Sequence, residues 1–365
     1  MRRTSALIAG GGPAGLTAAI TLARGGAEPL LIERHAQTPD LLCGGFVSWQ
    51  TLATLERIGL DSARLGGHAV DRVGLFAGNG SRIAPLPHPG IGLSRRRLDS
   101  LLLEEAKKAG AEIERGVAIS NADGPEHIRL ANGEDIAADA LFLATGKYEL
   151  RGLKRPVEKQ DSDPWMGLRY RIAASTALQA KIRGAIELHL FAHGYAGLLL
   201  QEDGSANLCL ALRRSRLREA GGDPKQLLGL LGKEAPSLAE RLDGETLPET
   251  SDAISRVPYG WRMREGHRGL FRIGDQGAVI PSLAGEGIGI ALASGEAAAN
   301  AYLENGPDAA IAYQENFAKA ARRPIAVAST LKWLTDHPRL ARHAIGLARF
   351  PGLVGLLGEA TRIRA

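Results

Sequence analysis

Residues Gly10-Gly11-Gly12-Pro13-Ala14-Gly15 put four glycines into six positions directly after the apolar run Ser5–Ala9. The spacing G-x-G-x-x-G suits a turn between a strand and a helix. Its first glycine permits the tight turn, its second lets the backbone approach a pyrophosphate, and its third lets helix and strand pack closely. The Ala- and Leu-rich stretch 14–25, closed by Gly25-Gly26, supplies a helix whose N-terminus faces the phosphates. Residues 28–33 read as a second apolar strand ending on Glu33, eighteen residues beyond Gly15. A carboxylate there accepts from both ribose hydroxyls and argues against a ribose 2′-phosphate. The glycine motif alone is weak. With a strand before it, a helix after it and the acid at this distance, it specifies a dinucleotide-binding βαβ unit.

A second motif stands late in the chain. Leu270-Phe271-Arg272-Ile273 leads into Gly274-Asp275, then Pro281, then Gly285-Glu286-Gly287-Ile288-Gly289 and an Ala-rich helix over 286–303. A carboxylate at a strand end can hold ribityl hydroxyls. The glycine turn aims a helix N-terminus at the electron-rich edge of a flavin ring, where its dipole stabilises the anionic reduced form. The two motifs together point to FAD rather than NAD as the resident cofactor.

Between them the pattern predicts a helix over 50–58 and a hairpin over 70–86 turning at Asn79-Gly80. An amphipathic helix over 95–110 and short strands over 111–145 turning at Asn132-Gly133 follow. Longer strands are expected at 165–173 and 184–212, helix over 223–242, a strand at 269–274, and helices from 307 broken at Pro324, Pro338 and Pro351. The chain has 365 residues, 44% hydrophobic, enough for two interleaved domains. The net charge of +5 comes from scattered arginines, which does not suggest nucleic-acid binding. Two cysteines, Cys43 and Cys209, make neither a disulfide framework nor a zinc pattern, and the nine histidines form no cluster, so no metal is expected. No apolar run is long enough to span a bilayer, and the reading is cytoplasmic.

Four segments carry a family likeness: the N-terminal motif with Glu33; Gly92-Leu93-Ser94-Arg95 before Leu98-Asp99; Leu143-Ala144-Thr145-Gly146; and Gly274-Asp275 through Gly289. On these the chain resembles the flavoproteins that include para-hydroxybenzoate hydroxylase-type monooxygenases, flavin halogenases and geranylgeranyl reductases. The resemblance implies an α/β fold. A Rossmann-like FAD-binding domain of glutathione reductase type (1–67, 95–160 and 268–320) would interleave with an antiparallel β-sheet substrate domain (68–94 and 161–267). C-terminal helices (321–365) would follow. Cofactor contacts are expected from Gly10, Gly12, Pro13, Ala14, Gly15, Glu33, Arg34, Cys43, Gly44, Arg95, Thr145, Gly146, Gly274, Asp275, Gly285, Gly287 and Ile288. Arg96 and Arg97 adjoin Arg95 and compete for its role.

Three departures stand out. Ala144-Thr145-Gly146 stands where the family has Ala-Asp-Gly, with Lys147 next, and the lost Asp puts its usual nicotinamide docking in doubt. Gln276-Gly277 replaces the Ala-His that many hydroxylases place after the Asp. Gly285-Glu286-Gly287-Ile288, Ser294-Gly295-Glu296, Cys43-Gly44-Gly45, Gly194-Tyr195 and Gly204-Ser205-Ala206-Asn207 resemble the reductase branch. Yet its Trp-x-Phe-Pro is replaced by Gly197-Leu198-Leu199-Leu200, a run that suits an apolar substrate or a buried strand equally. No Trp-x-Trp-x-Ile-Pro segment supports a halogenase.

The implied activity is a monooxygenase hydroxylating an apolar aromatic or polyketide/prenyl-type substrate through a flavin hydroperoxide. A geranylgeranyl reductase-like alkene reductase is the alternative, and a non-enzymatic flavin-binding protein a distant third. No second dinucleotide motif is present, so NAD(P)H would bind transiently, or a reduced protein partner would deliver electrons. Cys43 and Tyr195 are candidate catalytic residues, each also readable as ordinary core. Tyr259, Trp165 and Trp261 are similar candidates. The segment from Arg339 to Ala365 alternates apolar residues with Arg342, Arg349, Arg362 and Arg364. It is a candidate for peripheral membrane contact, or a pair of helices packed on the domain.

Overall fold

The computed structural model describes residues 1–156, 161–348, 350 and 352–363. Arg349, Pro351 and Arg364 lie outside them. The chain opens with β1 (Arg2–Ala9), α1 (Pro13–Arg24) and β2 (Pro29–Glu33). A short β3 (Phe46–Val47), α2 (Trp49–Arg57) and α3 (Ser62–Leu65) precede the hairpin β4 (His68–Ala77) and β5 (Gly80–Gly92). Next come α4 (Arg95–Lys108), β6 (Glu112–Arg115), β7 (Ile119–Gly124), β8 (His127–Leu130) and β9 (Asp135–Leu143). The middle of the chain holds β10 (Trp165–Ile172), α5 (Thr176–Ile182), β11 (Gly184–Phe191), β12 (Gly194–Leu200) and β13 (Ala206–Arg213). After these run α6 (Arg214–Glu219), α7 (Pro224–Glu234), α8 (Pro236–Leu242), β14 (Asp252–Ile254) and β15 (Leu270–Arg272). The chain closes with α9 (Gly287–Asn305), α10 (Ala309–Ala320), α11 (Arg322–Trp333), α12 (Pro338–Leu347) and α13 (Leu353–Ala360).

These strands make two sheets. The first has the order β6-β2-β1-β9-β8-β7, with β15 also on β9. Strands β6, β2, β1, β9 and β15 are all parallel. β9 gives its first residues to β8 and its last to β15. Side chains alternate across this sheet as the pleat requires. Ala6, Ile8, Leu31 and Phe142 enter the core with α1, α4 and α9, while Leu7, Leu30, Ile32 and Leu141 enter the core on the opposite face. The parallel strands therefore end along one edge, at Ala9, Glu33, Leu143 and Arg272. Open parallel sheets bind ligands at that carboxyl edge.

The second sheet has the order β14-β10-β13-β12-β11-β4-β5-β3 and is antiparallel except where β11 meets β4. Although β3 lies among the first 67 residues, it pairs with β5 here. Alternate residues on one face, Ala196, Leu198, Leu200, Leu208 and Leu212, bury against α7 and α8. The other face presents Tyr195, Gly197 and Leu199 to a cavity between the sheets. So of the three consecutive leucines only Leu199 faces the cavity.

Sequence periodicity locates most of these elements, with two differences at prolines. The expected helix over 223–242 is two helices, because Pro236 restricts Ala235, which leaves helical geometry at φ −126°. The break expected at Pro324 falls earlier, at Ala321. Pro324 sits in the first turn of α11, where its missing N–H removes no hydrogen bond.

Helix α9 crosses α1 so closely that a Cβ on Gly295 would lie 2.3 Å from the Ala14 carbonyl oxygen. Backbone cannot give way as a side-chain tip can. Gly295→Ala is expected to destabilise the protein by ~2 kcal/mol or more, read as a lower midpoint in urea unfolding with unchanged slope.

Candidate active site

The glycine turn after β1 is shaped by crowding. Gly10 adopts φ +115°, and a Cβ there would lie 2.6 Å from the Ala144 carbonyl oxygen. A Cβ on Gly15 would lie 2.0 Å from the Gly10 carbonyl oxygen. Glycine at both positions lets α1 start hard against β1 and β9, with its N-terminal residues facing the cavity. Glu33 ends β2 beside it. Its Oε2 accepts from Gly11 N at 2.7 Å, and its Oε1 accepts from His35 N at 2.9 Å and lies 2.5 Å from His35 Nδ1. Burial pushes this carboxyl up, but the bonds from Gly11 and His35 outweigh it and hold it below the usual range.

Arg95 starts α4, reaching toward Gly12 and forming a two-point ion pair with Asp99 at 3.0 and 2.7 Å. Burial opposes its charge, but the Asp99 carboxylate holds it protonated. Arg97 instead turns to the carbonyls of Arg64 and Leu65, and Arg96 is exposed. Of the three arginines, only Arg95 lines the cavity.

At the β15 end, Gly274 takes φ +60°, and its N–H donates to Ser294 Oγ of α9 at 2.7 Å. The Asp275 carboxylate pairs with Lys147 Nζ at 3.1 Å, and this attraction raises the lysine's pKa. The Gln276 amide donates to the carbonyls of Gly146 and Tyr148, both at 2.9 Å. Arg155 donates to the carbonyls of Lys147 and Asp275 at 2.8 and 3.0 Å. Lys147, Arg155 and Gln276 thus tie the Ala144–Tyr148 loop to the Gly274–Gln276 turn.

Helix α9 begins at Gly287, and Gly285, Gly287, Ile288 and Ala291 line the cavity. Its cap, Glu286, is buried and ion-paired with Arg362. The Arg362 guanidinium also lies over the Trp49 ring, 4.8 Å from its centroid. Arg362 is only 7% exposed and turned inward. The charge is drawn inward because Glu286 offers a buried partner. Helix α12 packs on β4 and β5, and α13 on β5. Among the described residues no helix is long and apolar enough to cross a membrane.

Opposite the turns, Asn207 of β13 donates to the carbonyls of Cys43 and Gly44 at 3.0 and 2.8 Å, holding that loop at the cavity. Cys43 and Cys209 both line it, and burial pushes the Cys209 thiol up to about 12. Tyr195 stands on the facing sheet with Tyr259 near it, while Trp165 packs behind them. Trp261 is not in the lining and instead packs under Arg155.

The result is one cavity of about 590 Å³. It gathers every residue expected at the cofactor except Gly15, whose part is the close contact behind the turn. Its lining could hold FAD. Glu33 would take the adenosine ribose, the Gly10–Gly12 turn and the α1 N-terminus the pyrophosphate, and Asp275 with the α9 N-terminus the ribityl–flavin half. Sequence reading missed His35, Tyr148, Ser282 and the role of Lys147. Tyr148, stacked under Arg34 at 4.1 Å, follows a loop with no motif of its own.

Residues 3–135 match the family described as FAD binding domain. The chain therefore carries an FAD-binding domain over these residues. Digeranylgeranylglycerophospholipid reductase 2 of Methanopyrus kandleri is 25% identical, the match covering 82% of this chain and 78% of that protein. Menaquinone reductase of Mycolicibacterium smegmatis is 24% identical, with 92% and 86% covered. Among solved structures, the flavin-dependent brominase Bmp2 superposes with a TM-score of 0.78 at 15% identity, covering 99% of this chain and 94% of that one. A geranylgeranyl bacteriochlorophyll reductase-like protein of Thermoplasma acidophilum gives 0.75 at 20% identity, covering 100% and 94%. PqsL of Pseudomonas aeruginosa in complex with 2-aminobenzoylacetate gives 0.75 at 17%, covering 94% and 100%. These likenesses are of fold.

Two outcomes test the site. Glu33→Gln keeps the side chain's size but removes its charge. It is expected to weaken FAD binding about tenfold, since hydrogen bonds to charged groups contribute ~1.5–3 kcal/mol. Fluorescence titration of the apoprotein with FAD reads this.

Burial raises the Glu286 pKa to about 7 despite Arg362. A carboxyl whose folded pKa lies above its unfolded value favours folding when protonated. That contribution is lost as pH rises from about 4.5 through 7. Arg362→Ala strands the buried carboxylate, at ~3 kcal/mol. The loss of thermal stability should be larger at pH 8, where Glu286 must be charged, than at pH 6, where a proton relieves it.

Proposed function

We propose that the chain is an FAD-dependent monooxygenase acting on an apolar aromatic substrate. The observation carrying this reading is the shared cavity. The FAD cradle and the sheet face bearing Tyr195, Gly197 and Leu199 open into the same space. When bound, FAD supplies the electron transfer and oxygen chemistry that side chains lack. The protein's part is to hold the ring of the substrate beside it and keep water out. Gly197 stands where the reductase branch has its Trp. A Cβ there would meet only ordinary contacts, 3.7 Å or more from its neighbours, so the missing side chain leaves room for substrate. One oxygen atom would enter the substrate and the other leave as water, with NAD(P)H or a reduced protein partner providing two electrons.

A second reading, an alkene reductase of apolar prenyl-type substrates, draws on specific features. These are the held Cys43-Gly44-Gly45 loop, the Gly285-Glu286-Gly287-Ile288 turn, and the likeness to the Methanopyrus reductase. The two readings differ in their need for oxygen. Yellow, FAD-loaded protein is expected to consume one O2 per reductant oxidised, only with substrate present and without releasing peroxide. Oxygen-electrode and peroxide assays on alkyl-aromatic compounds measure this. Product formation under strict anaerobiosis would sink the monooxygenase reading in favour of the reductase. A bound flavin that no reductant reduces at a useful rate would leave only a binding protein.

A further inference from the structure

One wall of the cavity carries a knot of hydroxyls. Tyr195 projects from β12, Tyr259 from the segment after β14, and Ser282 from the turn before α9. Ser282 Oγ lies 2.5 Å from the Tyr195 hydroxyl and 2.6 Å from the Tyr259 hydroxyl. All three residues line the cavity. Leu188, Leu283 and Trp165 pack with the two tyrosine rings in one apolar cluster. The Ser282 hydroxyl caps no helix, so local structure does not require it.

Counting protons shows what the knot offers. Three hydroxyls carry three protons. The two contacts among them use two, whichever oxygen donates in each. One O–H is therefore always left over, and among the described residues it has no protein acceptor. Both phenols stay neutral near physiological pH. Burial pushes Tyr259 up to about 12 and Tyr195 well above its ordinary value. A spare donor on an apolar wall is satisfied only by water or by a ligand oxygen.

We propose that Tyr195, Ser282 and Tyr259 form a substrate subsite that donates one hydrogen bond to an oxygen substituent, a carbonyl or phenolic oxygen, on an otherwise apolar aromatic molecule. The bond fixes which ring carbon is turned toward the cofactor, since a few placed polar groups set orientation in an apolar pocket. No covalent step is involved. The inference rests on the reading that the cavity admits an apolar aromatic substrate, and names the feature by which that substrate is held. Lys147 is a separate donor, already engaged by Asp275.

Two probes of the same shape isolate the bond. 2-Acetylnaphthalene and 2-isopropenylnaphthalene differ only in carrying oxygen or CH2 at one position. Each is titrated calorimetrically into oxidised, FAD-loaded protein without reductant. The wild type is compared with the triple variant Tyr195→Phe, Ser282→Ala, Tyr259→Phe. The ratio of ketone to alkene affinity is expected to fall about tenfold in the variant, as loss of one net hydrogen bond allows. Taking the ratio cancels the probes' difference in hydrophobicity and any general loosening of the pocket.

An unchanged ratio, with both probes still binding, overturns the subsite while leaving the apolar cavity intact. Failure of both probes to bind the wild type overturns the cavity reading and the subsite with it. If the variant does not fold, the infrared band of carbonyl-13C-labelled 2-acetylnaphthalene on the wild type decides. A band below its position in hexane supports the bond, and a band at the hexane position overturns it.

Discussion

A Cβ on Gly15 would lie 2.0 Å from the Gly10 carbonyl oxygen, one on Gly10 2.6 Å from that of Ala144, and one on Gly295 2.3 Å from that of Ala14. Through these three approaches backbone meets backbone with no side chain between. They set how closely α1 and α9 come to the carboxyl edge of the parallel sheet. Everything built at that edge inherits the spacing. The first helix N-terminus opens on the cavity because Gly15 lets α1 begin there. The second does so because α9 lies on α1, and Ser294 then reaches the Gly274 amide. The cradle is thus mostly a property of packed backbone, with side chains added at its two ends.

Polar groups on the two loops beside the cavity support one another. Lys147, partly exposed, pairs with Asp275, and the buried Gln276 amide is satisfied by the carbonyls of Gly146 and Tyr148. Together with Arg155 they join two loops from distant parts of the sequence. Buried polar groups of this kind are tolerated only when fully partnered. The tie between Glu286 and Arg362 has the same logic at longer range. It fastens the segment after α13 to the turn that starts α9.

The second sheet contributes through its pleat. Residues of β12 divide by parity between the core under α7 and α8 and the cavity wall. The wall's polarity is therefore set by a few side chains. Gly197 makes room, Leu199 makes the wall apolar, and Tyr195 supplies a hydroxyl at the one point where Ser282 and Tyr259 meet it.

By itself the sequence determined the FAD-binding fold and located the two glycine turns that line its cavity. Those signals are local: a glycine spacing, an acid at the end of the next strand, and a glycine turn before an Ala-rich helix, all within single βα units. The periodicity also located nearly every strand and helix, because burial on one face writes itself into the residue order. Tertiary structure alone decided which of Arg95, Arg96 and Arg97 faces the cavity. Neighbours in sequence point in different directions on a helix, and only the positions of Asp99, Arg64 and Leu65 separate them. It alone turned Arg362 inward to Glu286, chose Leu199 over Leu198 and Leu200 for the wall, and brought three hydroxyls from three separate segments into contact. Apart from the Arg95–Asp99 pair within α4, these rest on contacts between residues far apart in the chain, and no local pattern encodes a partner that only folding brings near.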